Sequence, residues 1–317
     1  MTVDIATMHT KSAYGGEGWQ ARTRSMREEI GDLWATCGIT NEWGRLRRVL
    51  LHRPGPELDA SIDPEAVNML SPLNIARAQA QHDAMAQAYR NAGVSVEYIE
   101  AERSPRPNQM FMADLFVMTP EGAILARPAS RVRAGEERVA ARHLANMGIP
   151  IVRSISGTAT FEGADLMWLN EKTVIVGRGL RTNDAGVAQL TSVLSEMGVT
   201  TIAVDMPIGT MHLMGMLRIV DHDLAIAWPL RFVLRGIETL QRHGYRVAYL
   251  PDEHEARGLH AFNFVTLGPR EILMPAANPK TQRFYEQLGM ICHTVPMDEL
   301  SKAAGSIGCL SGILQRD

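Results

Sequence analysis

Six polar residues stand just ahead of short apolar runs. They are Asp114 in MFMADLF, Glu162 and Asp165 in FEGADLM, His212 in MHLMGML, Asn263 in AFNFVTL, and Cys309 in the small, glycine-rich GSIGCLSGIL. A cysteine with a histidine and acidic groups in reach is the equipment of a thiolate nucleophile served by a general acid and base. Taken singly, each polar residue could equally be a turn residue at the start of a strand. A lone cysteine is more often a small buried hydrophobe, which is how Cys37 and Cys292 are read. Two carboxylates facing one cavity repel unless a cation lies between them. A flat, delocalised cation such as a guanidinium suits that place, because carboxylates bind it by paired hydrogen bonds.

Residues so far apart in sequence need an architecture that gathers them, and an internal repeat supplies one. Five amphipathic stretches each end in a glycine followed by a short β-like run, at Gly93, Gly148, Gly198, Gly244 and Gly289, with intervals of 55, 50, 46 and 45 residues. Each glycine suits the left-handed position that ends a helix. Ahead of the helices lie paired apolar runs split by turns, as in LFVM, TPEG and AILARP of the second unit. Hairpin, helix and strand, five times over, predict an α/β fold: a five-bladed, pseudo-symmetric α/β propeller in a single domain. Closure brings the openings of the units together near one axis. Residues 1–42 are expected to be an N-terminal extension, with GGEGWQ a flexible lead and RSMREEIGDLWATCG a short helix, and residues 43–317 the five-fold catalytic domain. No GxGxxG follows a first strand, which argues against a dinucleotide site.

Composition narrows the function classes. The chain has 317 residues, 45% hydrophobic and 21% charged, with 32 Lys and Arg against 35 Asp and Glu for a net charge of −3. That balance offers no concentrated basic face for nucleic acid or an anionic membrane. No run approaches the roughly 18 apolar residues of a membrane helix, and MTVDIATMHTK has neither the basic head nor the apolar stretch of a signal peptide. A cytoplasmic protein is expected. Its three cysteines are too few for a disulfide framework. No metal-ligand spacing stands out, and His254 and His260 in DEHEARGLH read as a polar surface loop. Met206, Met211, Met214 and Met216 read as core filler, and Trp43 and Trp228 as packing residues. No signal sets an oligomeric state, for which an even-numbered homo-oligomer is the common default.

In that order, MFMADLF, FEGAD, MHLMG and CLS resemble the guanidino-group-modifying superfamily of arginine deiminases, dimethylarginine dimethylaminohydrolases and amidinotransferases, built on the five-bladed propeller called the pentein fold. The resemblance runs from about Trp43 to the C-terminus. It implies that Cys309 attacks the guanidinium carbon and that His212 is the general acid and base. Glu162 would bind the guanidinium and orient His212, and Asp114 would hold the guanidino nitrogens, with Asp165 beside it on the substrate-binding side. Arg181 in GLRTND is similar to the family's arginine for the substrate carboxylate. Arg133 in RPASRVRAGEE, 19 residues after Asp114, is similar to the second, with Arg131 as its alternate and a solvated helix-start cation as the plainer reading. The implied activity is hydrolysis of a C–N bond in arginine or an N-substituted, arginine-like guanidine through an amidino-cysteine intermediate, with no metal or organic cofactor. The alternative is transfer of the amidino group to an amine. Met214 stands where deiminases and arginine-using transferases carry an aspartate, and Ala113 where dimethylarginine hydrolases have glutamate. The missing aspartate, which dimethylarginine hydrolases also lack, favours an N-substituted guanidine, and Met214 and Ala113 together make the pocket more apolar than either relative's, which points away from both relatives' substrates.

Overall fold

All five repeat glycines adopt positive φ, between +73° and +86°, the left-handed conformation that ends a helix and that glycine enters without steric cost. The computed structural model describes residues 10–58, 63–100 and 105–317. The first nine residues, where the expectation of no signal peptide mostly rests, lie outside the described residues.

Each unit builds one three-stranded sheet. In the second unit β3 (Phe116–Thr119) turns at Pro120 and Glu121 into antiparallel β4 (Gly122–Leu125). The helix Glu137–Asn146 then returns the chain to β5 (Ile151–Ser154), parallel to β4. The third unit repeats this with β6 (Leu166–Asn170), β7 (Thr173–Arg178), the helix Asp184–Glu196 and β8 (Thr200–Asp205). The fourth has β9 (Leu217–Asp221), β10 (Leu224–Ala227) and β11 (Arg246–Tyr249), and the fifth β12 (Val265–Gly268), β13 (Glu271–Pro275) and β14 (Ile291–Val295). Local chemistry marks the helix starts: Asn183 caps Asp184–Glu196 by accepting from the Gly186 amide at 2.9 Å, and Asn74 caps Ile75–Asn91 through the Arg77 amide.

The first sheet departs from simple repetition. Its β1 (Leu46–Leu51) runs parallel to β2 (Ser95–Tyr98) after the helix Ile75–Asn91, but its antiparallel partner is β15 (Gly312–Arg316), the last strand of the chain. β15 touches β3, β12 touches β9, and β1 touches β12, while the turns before β6 and β9 bridge the second, third and fourth sheets. The five sheets thus form a closed ring, as the repeat predicted. The central strands β4 and β10 are wholly buried, whereas the edge strands β5, β11 and β14 are mostly half-buried or exposed.

Residues placed by sequence in the N-terminal extension pack into this ring. Cys37 and Ile39 are buried, the Gly38 amide donates to Leu314 O at 2.9 Å, and Glu42 Oε1 accepts from the Trp168 amide at 3.0 Å. The expected helix there is one capped turn, Met26–Glu29. DEHEARGLH is also not a loop: Glu253–Gly258 is helical, started by Asp252 accepting from the Glu255 amide at 2.8 Å.

Candidate active site

Where each first strand begins, the backbone makes a short turn that carries one polar group. Single 3-10 turns at Met112–Asp114, Gly163–Asp165 and Leu213–Gly215 precede β3, β6 and β9, Asn263 precedes β12, and the short helix Ile307–Leu310 with Cys309 precedes β15. The three turns and the Cys309 helix touch one another in succession. Five-fold repetition therefore delivers one chemical group per unit to one place.

Glu162 lies at the centre of the charged set and is fully buried. Its Oε2 is 2.6 Å from His212 Nε2, while Oε1 accepts from Arg181 Nη1 at 3.2 Å and from the Ala129 amide at 3.1 Å. Burial alone would raise its pKa, but His212, Arg133 and Arg181 together hold the carboxyl below the usual range. The imidazole of His212 responds in the opposite direction. Its burial favours the neutral form, yet Asp114, Glu162 and Asp165 outweigh that and raise it well above an ordinary histidine.

Asp114 has one oxygen engaged and one free. Oδ2 accepts from Arg133 Nη1 at 2.6 Å, and Oδ1, buried and without a hydrogen-bond partner, is 3.8 Å from His212 Nε2. The cation expected between the carboxylates is here the protein's own. Arg133 is buried, not solvated, and donates from Nε to Glu136 at 3.0 Å as well as to Asp114, with Nη1 3.6 Å from Glu162. Arg131 and Arg133 share one 3-10 turn, but Arg133 is the one that points inward and lines the site. Arg181 also lines it, with Nε unpartnered. Asp114, Glu162 and His212 bring one ligand atom each to within 4.8 Å of one another, a spacing that a metal would accept. Arg133 already neutralises that spot.

Cys309 is cradled by Asn263, whose Nδ2 donates to Sγ at 2.9 Å and whose Oδ1 accepts from the Cys309 amide at 3.2 Å. Burial and the charge of Asp114 push the thiol pKa up, while Asn263 and Arg218 oppose them. Arg218 was missed in the sequence. It is a charged residue inside the apolar run of β9, its Nε donating to Phe262 O at 3.1 Å and its guanidinium stacked on Phe264. A Cβ on Gly308 would lie 2.4 Å from Arg218 Nη2 and 2.7 Å from Asn263 Oδ1, so a side chain there would push on both. The signal was available: an arginine in a strand that is otherwise buried.

Asp165 does not line the pocket. Its Oδ2 accepts from the Thr182 hydroxyl at 2.6 Å and Oδ1 from the Leu213 amide at 2.9 Å. It ties the turn following His212 to the segment carrying Arg181. Asp165→Ala should leave two buried donors unsatisfied and lower stability by about 1–3 kcal/mol each, read as a reduced urea midpoint. An unchanged midpoint would sink that assignment.

Around Cys309 and His212 the cavity has two compartments. A narrow polar one is lined by Asp114, Arg133, Arg181, Asn68, Asn108 and Phe111, and a wide one by Trp228, Phe262, Met211, Met214 and Met216 among others. Met216 is buried core filler as expected and also borders the cavity, Met211 and Met214 line it as well, and Trp228 does more than pack. Among the described residues no helix is long and apolar enough to cross a membrane.

Comparison with known proteins adds a family to this geometry. Residues 100–242 match the arginine deiminase family. An N(G),N(G)-dimethylarginine dimethylaminohydrolase of Streptomyces coelicolor is 28% identical over 267 residues, covering 84% of this chain and 96% of the relative. Among solved structures, a DDAH from Pseudomonas aeruginosa complexed with citrulline superposes with TM-score 0.72 at 22% identity, over 84% of this chain and 99% of that one. An amidinotransferase from Microseira wollei does so with TM-score 0.77 at 14% identity, over 88% of this chain and 97% of that one. A closed ring of five sheets, the four motifs in order and these matches place the chain in the pentein superfamily of guanidino-group-modifying enzymes.

Proposed function

We propose that the chain is a cysteine-dependent hydrolase that cleaves a C–N bond of an N-substituted, arginine-like guanidine and releases a ureido product and an amine. The observation that carries this reading is Asp114 Oδ1, a buried carboxylate oxygen without a partner, set in one pocket with Cys309 and His212. Arg133 and His212 already balance the charge of Asp114, but a buried oxygen left without a hydrogen bond is costly, and a guanidinium N–H satisfies it. The relatives that match over most of their length are named for the same bond cleavage in dimethylarginine.

In the mechanism the bound guanidinium cancels the field of Asp114 at Cys309, the thiol loses its proton to solvent, and Sγ adds to the guanidinium carbon. The C–N bond then breaks with its electron pair going to nitrogen, which takes a proton from His212, protonated at rest because of its carboxylate neighbours. An amidino group remains on Cys309. The now neutral His212 takes a proton from water, the oxygen adds to the same carbon, the C–S bond breaks with its electron pair to restore the thiolate, and the product loses the remaining hydroxyl proton to solvent to become a neutral ureido group. Glu162 holds His212, Arg181 offers its free Nε to the substrate carboxylate, and Arg133 braces Asp114 and Glu136 in the resting site.

The test is a panel of guanidino compounds scored by mass spectrometry for ureido product and released amine. Turnover in water alone supports hydrolysis. Product that appears only when a second amine is added would make the protein a transferase instead.

The electrostatics set a pH signature. The thiol pKa of free Cys309 is raised, so kcat/KM should climb with pH through a value above that of an ordinary cysteine. In the kcat profile, which reports the substrate complex, the same limb should lie at lower pH because the guanidinium is in place. His212, raised to about 9, loses its proton in the same range, so the two limbs of the kcat/KM profile overlap in a narrow bell with no plateau. Cys37 and Cys292, pushed by burial up to about 11 and about 12, do not contribute below that range. Rate profiles with an optimum on the acid side of neutrality would contradict this.

A further inference from the structure

We propose that the leaving amine of the natural substrate carries a bulky apolar group, much larger than two methyls, seated in the wide compartment between Trp228, Phe262 and Met214; this deepens the hydrolase reading and rests on it. The two compartments meeting at Cys309 and His212 differ greatly in size. The polar one, about 20 Å³, is too small for a whole arginine side chain, so the wide one, about 930 Å³, has to take part of the amino-acid chain as well as the leaving group. Dimethylamine has three heavy atoms and needs about three water volumes, roughly 90 Å³. The wide compartment is instead at the top of the range of about 300–1,000 Å³ found for small-molecule sites.

Its walls suit an uncharged occupant. Trp228 and Phe262 pack edge to face at its base, and Met214 and Met216 flank the turn after His212. The charges at its edge are already spent on one another: Glu253 accepts from Trp228 Nε1 and lies 3.8 Å from Arg231 and 3.5 Å from Arg257, and Arg231 stacks over Trp228. Burial keeps His260 on the neutral side.

At the mouth, Leu70, Ile208, Met211 and Leu230 expose large apolar side chains to water, Ile208 and Leu230 fully. Apolar surface gathered at the opening of a reactive site is stabilised when an apolar ligand covers it. The backbone is strained in the same place. Of the six non-glycine residues with positive φ among the described residues, Leu230, His260 and Ala304 line this compartment. Strain gathered there marks a surface shaped for a ligand more than for packing.

The occupant is connected to the chemistry by position. The substituted nitrogen departs with a proton from His212, and His212 and Cys309 border both compartments. The C–N bond to that nitrogen breaks, the nitrogen takes the proton, and the free amine carries its apolar group away through the wide mouth.

The experiment uses the purified full chain and a series of arginines substituted on one terminal guanidino nitrogen with methyl, butyl, hexyl or benzyl groups, reading kcat/KM and the mass of the amine released. Burial of each added methylene should raise kcat/KM roughly three- to fourfold, so butyl should exceed methyl by roughly thirty- to sixtyfold. Two variants probe the place. Gly215 lines the wide compartment at ordinary φ with open space around its would-be Cβ, so Gly215→Leu fills it without a backbone clash. Leu230→Gly removes an exposed side chain and relieves a positive φ of +63°, so folding is not at risk. Each should reduce the butyl-to-methyl ratio at least about fivefold. Turnover of methylarginines with no gain for larger groups, or a gain that neither variant touches, overturns this inference and leaves the hydrolase reading standing. Failure to cleave any guanidine, large or small, overturns both.

Discussion

Replacement of Cys309 by serine is expected to lower kcat by a factor of about 10⁴ or more, while the protein keeps its unfolding midpoint and still binds guanidines. The serine hydroxyl is nearly the size of the thiol and keeps the donor from Asn263 Nδ2, so the pocket is little altered. What is lost is the nucleophile. Even the thiol of Cys309 is driven up by burial and by Asp114, and in the proposed mechanism it becomes reactive when a guanidinium enters. An alcohol, far less acidic, stays protonated under the same conditions. Wild-type protein quenched in acid during turnover should carry an amidino group on the peptide containing Cys309, and the variant should carry none. Residual activity within a hundredfold of wild type would mean that the thiolate is not the attacking group.

Glu162→Gln should be the next most damaging change, acting on rate, pH dependence and stability together. The carboxylate is paired with His212 at 2.6 Å and with Arg181 at 3.2 Å, all three being buried. Removing the charge leaves two cations close together in the interior. The loss of one partner from such a set costs about 3–5 kcal/mol, and the misplaced acid and base should lower kcat by about 10²–10⁴. Without its main partner the imidazolium is less favoured, so the descending limb of the rate profile should move to lower pH.

The stability difference has a sign in pH as well. Glu162 has a lowered pKa in the folded state, so its contribution is present above the unfolded carboxyl value and is lost as pH falls through the folded one. His212 has a raised pKa, so its contribution is full below the unfolded imidazole value and is lost as pH rises through the folded one. The gap between wild type and variant should therefore be widest from mildly acidic pH to neutrality and shrink on either side. Chemical denaturation across pH checks this, and a gap that does not vary with pH would remove Glu162 and His212 from one electrostatic unit.

Much of the scaffold was legible because it is local. A glycine that must take positive φ after an amphipathic stretch announces the end of a helix wherever it falls, and Gly93, Gly148, Gly198, Gly244 and Gly289 all do so. The short turns that carry Asp114, Glu162 and His212 could likewise be read as polar interruptions ahead of apolar strands. Other features left no local trace. The strand that completes the first sheet comes from the far end of the chain, because among the described residues no strand precedes β1 to form a hairpin with it, and ring closure provides the partner. Cys37, Ile39 and Glu42 had the spacing of a lead segment, and burial against distant strands is what joined them to the ring.

The site divides along the same line. Sequence alone determined which groups the protein brings to one axis, Cys309, His212, Glu162, Asp114 and Asn263, since residue type and repeat position are properties of a short stretch of chain. Tertiary structure decided what each one does there. Asp165 turned to the Thr182 hydroxyl and the Leu213 amide and left the pocket, Arg133 filled the gap between the carboxylates, and Arg218 came to rest behind Cys309. Those outcomes depend on which charges and donors lie within about 4 Å after the ring has closed, and Coulomb energies and desolvation at that range are set by neighbours from other units, which no stretch of sequence contains by itself.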